Sequence, residues 1–568
     1  MVYTRKALLL GLISAFLLLA ACGNGGNGGN AGSDNQKGNQ AETNTPGQEK
    51  GNSGNEAAAG PNGKYDPPIE LSTIRMISPE QYFDEGEKID NNAIYSYYEN
   101  KFGIKLKNKW TVTNDYDSKL KIAIASNDLP DFYRVPASDL QQLIDNDMIM
   151  DLTELWDKQT TELTKQEFTK DGGRQLKTAT FGGKLMAIPQ TNSPFNRMGF
   201  VWVRQDWLKE MNLPEPKTMA DLLAISEAFA KRDGGGKGKT YGLLLSQNLS
   251  LSGFFSGYHL YPGQWVKDEN GQLMYGTLNP SMKEALQQLQ TMFKAGQIDP
   301  EFGVKDDGKA LELAVNGQIG LLYGEFWHSA ALQAGAVKDG KVVQDWAAYP
   351  IPSIDSQPAL NPTTASVSTF YVINKNAENP EAVFKLLNEW IESQVKPNED
   401  NKTLVFGKDK KDKGKFFYEI NPLIVFSQDN IVMSGDLIPK ALKNNDPAIL
   451  GEDVDRLARY EAAKQFKDGT VTEMSWLQHM IAGEGGTMSK MYEAYQQDLF
   501  HYDEFYGAPT PAMGEKWSVL KAKEDETISK IIMGSAPVEE YDRFIAEWKR
   551  LGGEQITQEV NEWWQSIE

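Results

Sequence analysis

The side chains that most often carry covalent or metal chemistry are sparse in this chain. Its four histidines, His259, His328, His479 and His501, have no second His or Cys at metal-ligand spacing, which argues against a transition-metal centre. No G-x-S-x-G nucleophile elbow occurs, and the one cysteine, Cys22, lies beside an apolar run near the start. Residues 233–240, DGGGKGKT, end like a phosphate-binding loop, but Asp233 stands where that motif requires Gly. A helical pattern precedes them and a strand pattern follows, the reverse of the phosphate-loop context, so they read as a surface turn. Residues 268–271, DENG, lack EF-hand spacing and read as a hairpin turn in which Gly271 takes positive φ. A glycosidase needs two carboxylates facing each other about 5–9 Å apart. The 78 acidic residues offer many pairs and single out none, so catalysis has no positive support.

Aromatic residues give the positive signal. Phe254, Phe255, Tyr258, Tyr261 and Trp265 crowd one Gly- and Ser-containing stretch just after a predicted strand at 241–245. Phe326 and Trp327 follow a predicted strand at 319–323, in YGEFW, beside Glu325. Open α/β sheets bind ligands at the carboxyl ends of their strands. Flat ring faces with polar tips suit pyranose rings, which carry C–H patches on a face and hydroxyls around the edge.

The elements that would position these rings alternate along the chain. Strands are predicted at 69–76, 104–110 and 132–135, with helices through Ile94, Tyr95 and Tyr98 and through Leu120 to Ile124 between them. Further strands are expected at 185–188, 200–203, 241–245, 319–323 and 370–373. Alternation of strand and helix implies parallel βαβ units and covered sheets. Thr218 precedes an apolar stripe at Leu222, Ile225 and Phe229, and Ser281 with Glu284 has capping-box spacing, with Gly296 ending that helix. Tyr541, Phe544, Ile545, Trp548 and Leu551 recur at helical spacing and read as core, stopped by Gly552. Residues 408–415 form a charged run that reads as a solvated hairpin tip.

The beginning of the chain is of another kind. Arg5 and Lys6 precede an apolar or small-residue run at 7–21, the pattern of a secretory signal peptide. That run is shorter than the ~20 residues a spanning helix needs. Leu19-Ala20-Ala21-Cys22 resembles the bacterial lipobox, which implies cleavage before Cys22 and diacylglycerol and fatty acyl (palmitate) chains on that residue. From Gly23 to Gly63 there is no Val, Ile, Leu, Met or aromatic residue, so the segment is expected to be a disordered tether with a reach of about 35 Å. The rest is long enough for two lobes. A formal net charge of −20 argues against nucleic acid and against electrostatic docking on anionic lipid.

Several blocks carry a wider resemblance. KLKIAIASNDLPDFYRV at 119–135, GGKLMAIPQ with GFVWVRQDWLKEMNLPEPKTMADLL, EALQQLQTMFKAGQIDPEF, NGQIGLLYGEFW and NPEAVFKLLNEWIES occur in order along the chain. They resemble the family-1 extracellular solute-binding proteins of carbohydrate ABC importers, with Asn127 where the family more often has Gly. The tail from GAPTPAMGEKW to NEWW resembles the larger lipoprotein subgroup of Bacillus and Paenibacillus relatives.

The resemblance implies a periplasmic-binding-protein-like type II fold, two α/β lobes with a hinge and an interlobe cleft. The signal would span 1–21, and the acylated Cys22 with its tether 22–67. The first lobe would span 68–192 plus about 364–440, and the second 193–363 plus about 441–568. It places Trp327 as a stacking aromatic, Trp265, Phe254 and Tyr258 on a further aromatic wall, and Glu325, Arg134 and Tyr82, with Glu80 beside it, at the cleft. Arg134 and Arg197 read first as surface or interlobe ion-pair partners; lining the cleft, either would offer a bidentate guanidinium to an acidic sugar. The expected function is a lipid-anchored, monomeric receptor on the outer face of the membrane. It would deliver an oligosaccharide to ABC importer permease subunits, without cofactor, metal, catalysis or nucleic acid. The alternatives are a tethered glycosidase or lyase, and a receptor of the same fold for a peptide or metal chelate.

Overall fold

The computed structural model describes residues 60–567, apart from 78–82, 84–85, 233–237, 366, 407–416 and 452. Cys22, Glu80, Tyr82 and the charged run at 408–415 lie outside the described residues. Among the described residues no helix is long and apolar enough to cross a membrane.

The first lobe begins with a βαβ unit. Strand Ile69–Met76 pairs in parallel with Ile104–Val112, and helix Ala93–Phe102 makes the crossover between them. The Asn92 side chain accepts from the Tyr95 N–H to start that helix, and Gly103, at φ 67°, stops it. Strand Thr369–Ile373 lies between Phe132–Pro136 and Ile188–Pro189, antiparallel to both. Ser72 and Asp131 stitch the two sheets together. The Ser72 N–H donates to Asp131 Oδ2 at 2.7 Å, and the Asp131 N–H donates to Ser72 Oγ at 3.0 Å. The strand predicted at 185–188 is instead two short pieces. Lys184–Leu185 turns back on Thr180–Phe181 through Gly182 and Gly183, both at positive φ, before Ile188–Pro189 joins the central sheet.

A four-stranded sheet forms the centre of the second lobe, in the order Trp346–Tyr349, Gly199–Arg204, Ile319–Glu325, Tyr241–Leu243. Its alternation is legible residue by residue. Phe200, Trp202 and Leu322 face one core, and Val201, Val203 and Leu321 face the other, so both sides of the sheet are covered. Helix Met219–Lys231 opens with a full capping box between Thr218 and Asp221. The capping box expected at Ser281 and Glu284 does not form, because Ser281 is already in a helical conformation and its own N–H is taken by Asn279 Oδ1 at 2.9 Å. The C-terminal stripe is core: Tyr541, Phe544 and Trp548 are buried, and Gly552, at φ 125°, kinks the chain after them.

Three separate cores account for the interior. One gathers residues of 65–188 and 367–425, and the other two lie on either side of the second-lobe sheet. The backbone passes between lobes at 189–194, after 360 and at 426–431. The boundary drawn at about 440 falls inside helix Asn430–Asn444, whose Val432, Ile438, Ala441 and Leu442 all belong to a second-lobe core. These crossings are tied to one another. Phe426 N–H donates to the Thr191 carbonyl at 3.0 Å, and Thr191 Oγ1 donates back to the Phe426 carbonyl at 2.8 Å. The Gly199 N–H donates to Asn361 Oδ1 at 3.2 Å, and the Thr363 hydroxyl donates to the Pro194 carbonyl.

Gly435 tests the packing of the last crossing. A Cβ there would sit 2.0 Å from the Met488 carbonyl oxygen, on the helix that packs against Asn430–Asn444. Gly435→Ala is expected to destabilise the protein by about 1–3 kcal/mol. A thermal melt checks this, and an unchanged midpoint would contradict the packing described.

Candidate functional site

A cavity of about 440 Å³ lies between the lobes. The first lobe supplies Ala137 and Leu140 at the exit of strand Phe132–Pro136, with Phe181 and Phe370 beside them. The second lobe supplies Trp265, Asp503, Phe505, Tyr506 and Trp517. Local sequence explains how these arrive together. Trp265 opens the short hairpin strand Trp265–Lys267, which pairs with Leu273–Tyr275 around the turn closed by Gly271 at φ 78°. Thr510 caps helix Pro511–Ile532 by accepting from the Met513 N–H, and Pro511 occupies its first turn. Met513 and Trp517, one helical turn apart, therefore face the cavity together.

Asp503 fixes the loop that carries the other two rings. Its Oδ1 accepts the Trp265 N–H at 2.9 Å and the Phe505 N–H at 3.1 Å. Burial pushes its carboxyl up to about 7, against the pull of those two hydrogen bonds. Trp265 packs at 5.6 Å on Tyr275 and 6.2 Å on Phe505, and Trp517 meets Tyr275 edge-on at 5.1 Å. Nearby, His501 stacks on Tyr261 at 3.7 Å and 11° and bonds Gln264, which in turn donates to the Thr363 carbonyl in the crossing. Burial drops the His501 imidazole to about 4, so it is neutral at pH 7.

A second cavity, of about 360 Å³, opens at the carboxyl end of Ile69–Met76 in the first lobe. Arg75, Arg134, Tyr116, Gln190, Tyr371 and Glu419 are among the residues that line it. The Arg134 guanidinium lies over the Tyr116 ring at 5.4 Å, and the Tyr116 hydroxyl donates to the Arg134 carbonyl at 2.9 Å. Burial raises both Tyr116 and Tyr371, so each keeps its proton.

The remaining predicted residues divide sharply. Trp327 stands 44 % exposed at the exit of strand Ile319–Glu325, tilted against His328 at 5.1 Å. Glu325 lies 3.1 Å from His328 Nδ1, and that close contact, aided by the Arg197 charge, holds its carboxyl below the usual range. Arg197 is exposed in the turn just before Gly199–Arg204, so the three form one polar group beside Trp327. Phe254 does not reach a ligand surface. It is 1 % exposed, because helix Ser252–Gly257 turns it inward onto Phe255, Tyr258 and Tyr323. Tyr258 is half-buried against the same ring. Among the described residues Arg134 makes no ion pair; its guanidinium lies over the Tyr116 ring instead. Trp517, Phe505, Tyr506, Asp503 and Arg75 escaped the sequence reading. The one signal for Arg75 was a lone charge inside the otherwise apolar end of IELSTIRM. Among the described residues no group of three or more His, Cys, Asp or Glu side chains is placed to hold a metal ion.

Comparison with known proteins places this architecture. A polygalacturonan/rhamnogalacturonan-binding protein of Bacillus subtilis is 29% identical over 152 residues, 26% of this chain and 30% of that one. A fructooligosaccharide ABC transporter substrate-binding protein of Streptococcus pneumoniae is 27% identical over 250 residues, 41% of this chain and 45% of that one. The chain thus spans less than half the length of each of these relatives. Among solved structures, an HMO-binding, ABC-transporter-associated solute-binding protein from Bifidobacterium longum infantis superposes with a TM-score of 0.59 at 14% identity, covering 88% of this chain and 99% of that one. That likeness is one of fold: two α/β lobes of the periplasmic-binding-protein kind. Residues 82–397, more than half of the chain, match the bacterial extracellular solute-binding proteins, and the chain belongs to that family.

Proposed function

We propose that this chain is an extracellular receptor that captures an oligosaccharide between its lobes and hands it to the permease of an ABC importer. It acts as a monomer, held at the outer face of the membrane by acyl chains on Cys22. The observation that carries the reading is the 440 Å³ cavity, which draws walls from both lobes and offers Trp265, Trp517, Phe505 and Tyr506. Its volume falls within the ~300–1,000 Å³ of small-molecule sites. Ring faces stack on the C–H patches of pyranoses, and Asp503 accepts from their hydroxyls. A ligand that touches both lobes favours their closed arrangement, which is what a permease would recognise. The two relatives named above for the sugars they bind support an oligosaccharide.

Calorimetry of the mature protein against a panel of neutral and acidic oligosaccharides tests the reading. It expects at least one to bind in the micromolar range without cleavage. No binding at millimolar ligand, or the appearance of cleavage products, would contradict it. Trp327→Ala and Trp517→Ala should each weaken that binding about tenfold or more, by loss of a stacking face. Because Trp327 is largely free of the core, its variant should also melt within a degree or so of the parent. Unchanged affinity would remove the substituted ring from the site.

Asp503 gives the protein a pH dependence. Its folded-state value of about 7 lies above the ~3.9 of an unfolded aspartate. Between those values the folded chain holds a proton that the unfolded chain has lost, so stability falls as pH rises from about 4 to about 7 and levels off above. Asp503→Asn keeps an acceptor for the Trp265 and Phe505 N–H groups and cannot ionise. Its melting temperature should fall less than the parent's across that window, and parallel curves would contradict the assignment.

A further inference from the structure

We infer that the ligand is anionic, and that the first-lobe cavity is a subsite for a carboxylate-bearing sugar, read by Arg75 and Arg134. The inference rests on the oligosaccharide reading and adds the chemical class of the sugar. Kinship does not choose that class, since the two relatives are named for one acidic and one neutral polymer.

Arg75 is 8% exposed, yet no carboxylate pairs with it among the described residues. Its guanidinium is held by main-chain groups instead. Nη1 donates to the Ile420 carbonyl at 2.9 Å, Nη2 donates to the Glu419 carbonyl, and Nη1 lies 3.5 Å from the Tyr95 hydroxyl. These contacts fix the guanidinium in place, and among the described residues no carboxylate matches its charge. Arg134 lies over Tyr116 in the same cavity, also without a carboxylate partner. Among the described residues that line the cavity, Arg75 and Arg134 are the cations and Glu419 the one carboxylate. Elsewhere the chain is strongly acidic, with a formal net charge of −20. A buried cation without a counter-charge is costly, and a guanidinium at the wall of a cavity can take up a carboxylate bidentately. The Tyr371 hydroxyl already accepts the Ile424 N–H at 3.0 Å, which leaves its own proton for a ligand oxygen. Arg134 and Ala137 sit a few residues apart at one strand exit and line one cavity each, so a chain of sugars bound between the lobes has its acidic group within reach of the first.

The experiment measures the binding of oligogalacturonate and of its carboxyl-reduced, neutral counterpart by calorimetry at low and moderate salt. The parent protein should bind the acidic form about 10- to 100-fold more tightly, the range of a charge-assisted hydrogen-bonded pair. Arg134→Gln should erase that preference, so that the acidic form binds no more tightly than the neutral one. Arg134→Lys, which keeps the charge and loses the fork, should fall between the two. Circular dichroism melts confirm that both variants fold. Equal or tighter binding of the neutral form, or a preference that survives Arg134→Gln in a folded variant, would overturn this inference and leave the oligosaccharide reading standing. Failure of every glycan in the wider panel to bind would overturn both.

Discussion

Where a chain leaves one folded core for another, its backbone gives up the ladder partners that a sheet supplies, and each buried N–H and C=O must find a substitute. This protein meets that constraint three times, at 189–194, after 360 and at 426–431, and meets it with the crossings themselves. Thr191 exchanges two hydrogen bonds with Phe426, Asn361 takes the Gly199 N–H, and Thr363 donates to Pro194. Strand Asn361–Thr363 then pairs in parallel with Phe500–Tyr502, which brings in the far end of the chain. The crossings are thus cross-linked to one another, while each core remains complete on its own side. That separation is the physical condition for lobes that can move as bodies about a short hinge.

The site follows from the same arrangement. The first lobe turns the exit of strand Phe132–Pro136 toward the cavity between the lobes. Because Phe500–Tyr502 is tied to a crossing, the loop beyond it is delivered to the first lobe's surface, carrying Asp503, Phe505 and Tyr506. Asp503 then joins that loop to Trp265 through two backbone N–H groups. Arg174 of the first lobe lies over the Tyr502 ring at 4.2 Å, and Lys170 pairs with Asp429 at 2.7 Å, so polar contacts reach across the gap beside the aromatic ones.

Much of the fold was legible because hydrophobic period and helix caps are local. Ile69–Met76, the Thr218 cap and the stop at Gly552 needed no tertiary information. The Ser281 cap failed because the choice between two polar residues as helix start depends on one backbone torsion, which spacing does not fix. The site was legible only in part. The run 254–265 looked like a ligand wall, but a short helix inside it buries Phe254 and Phe255, leaving Trp265 at the cavity. Trp517 and Phe505 come from a stretch nearly two hundred and fifty residues later, and only the pairing of Phe500–Tyr502 with a crossing brings them in. Arg75 was hidden by its strand: in a buried run a lone charge is easily read past, although burial is what makes it informative.

A receptor of this kind holds its ligand between the lobes. A crystal structure of the mature protein soaked or grown with the tightest-binding oligosaccharide of the panel tests this most directly. It should show continuous sugar density between the lobes, with rings against Trp265 and Trp517 and an acidic group at Arg134. Density confined to an outer surface of either lobe, with the interlobe cavity filled only by solvent, would contradict it.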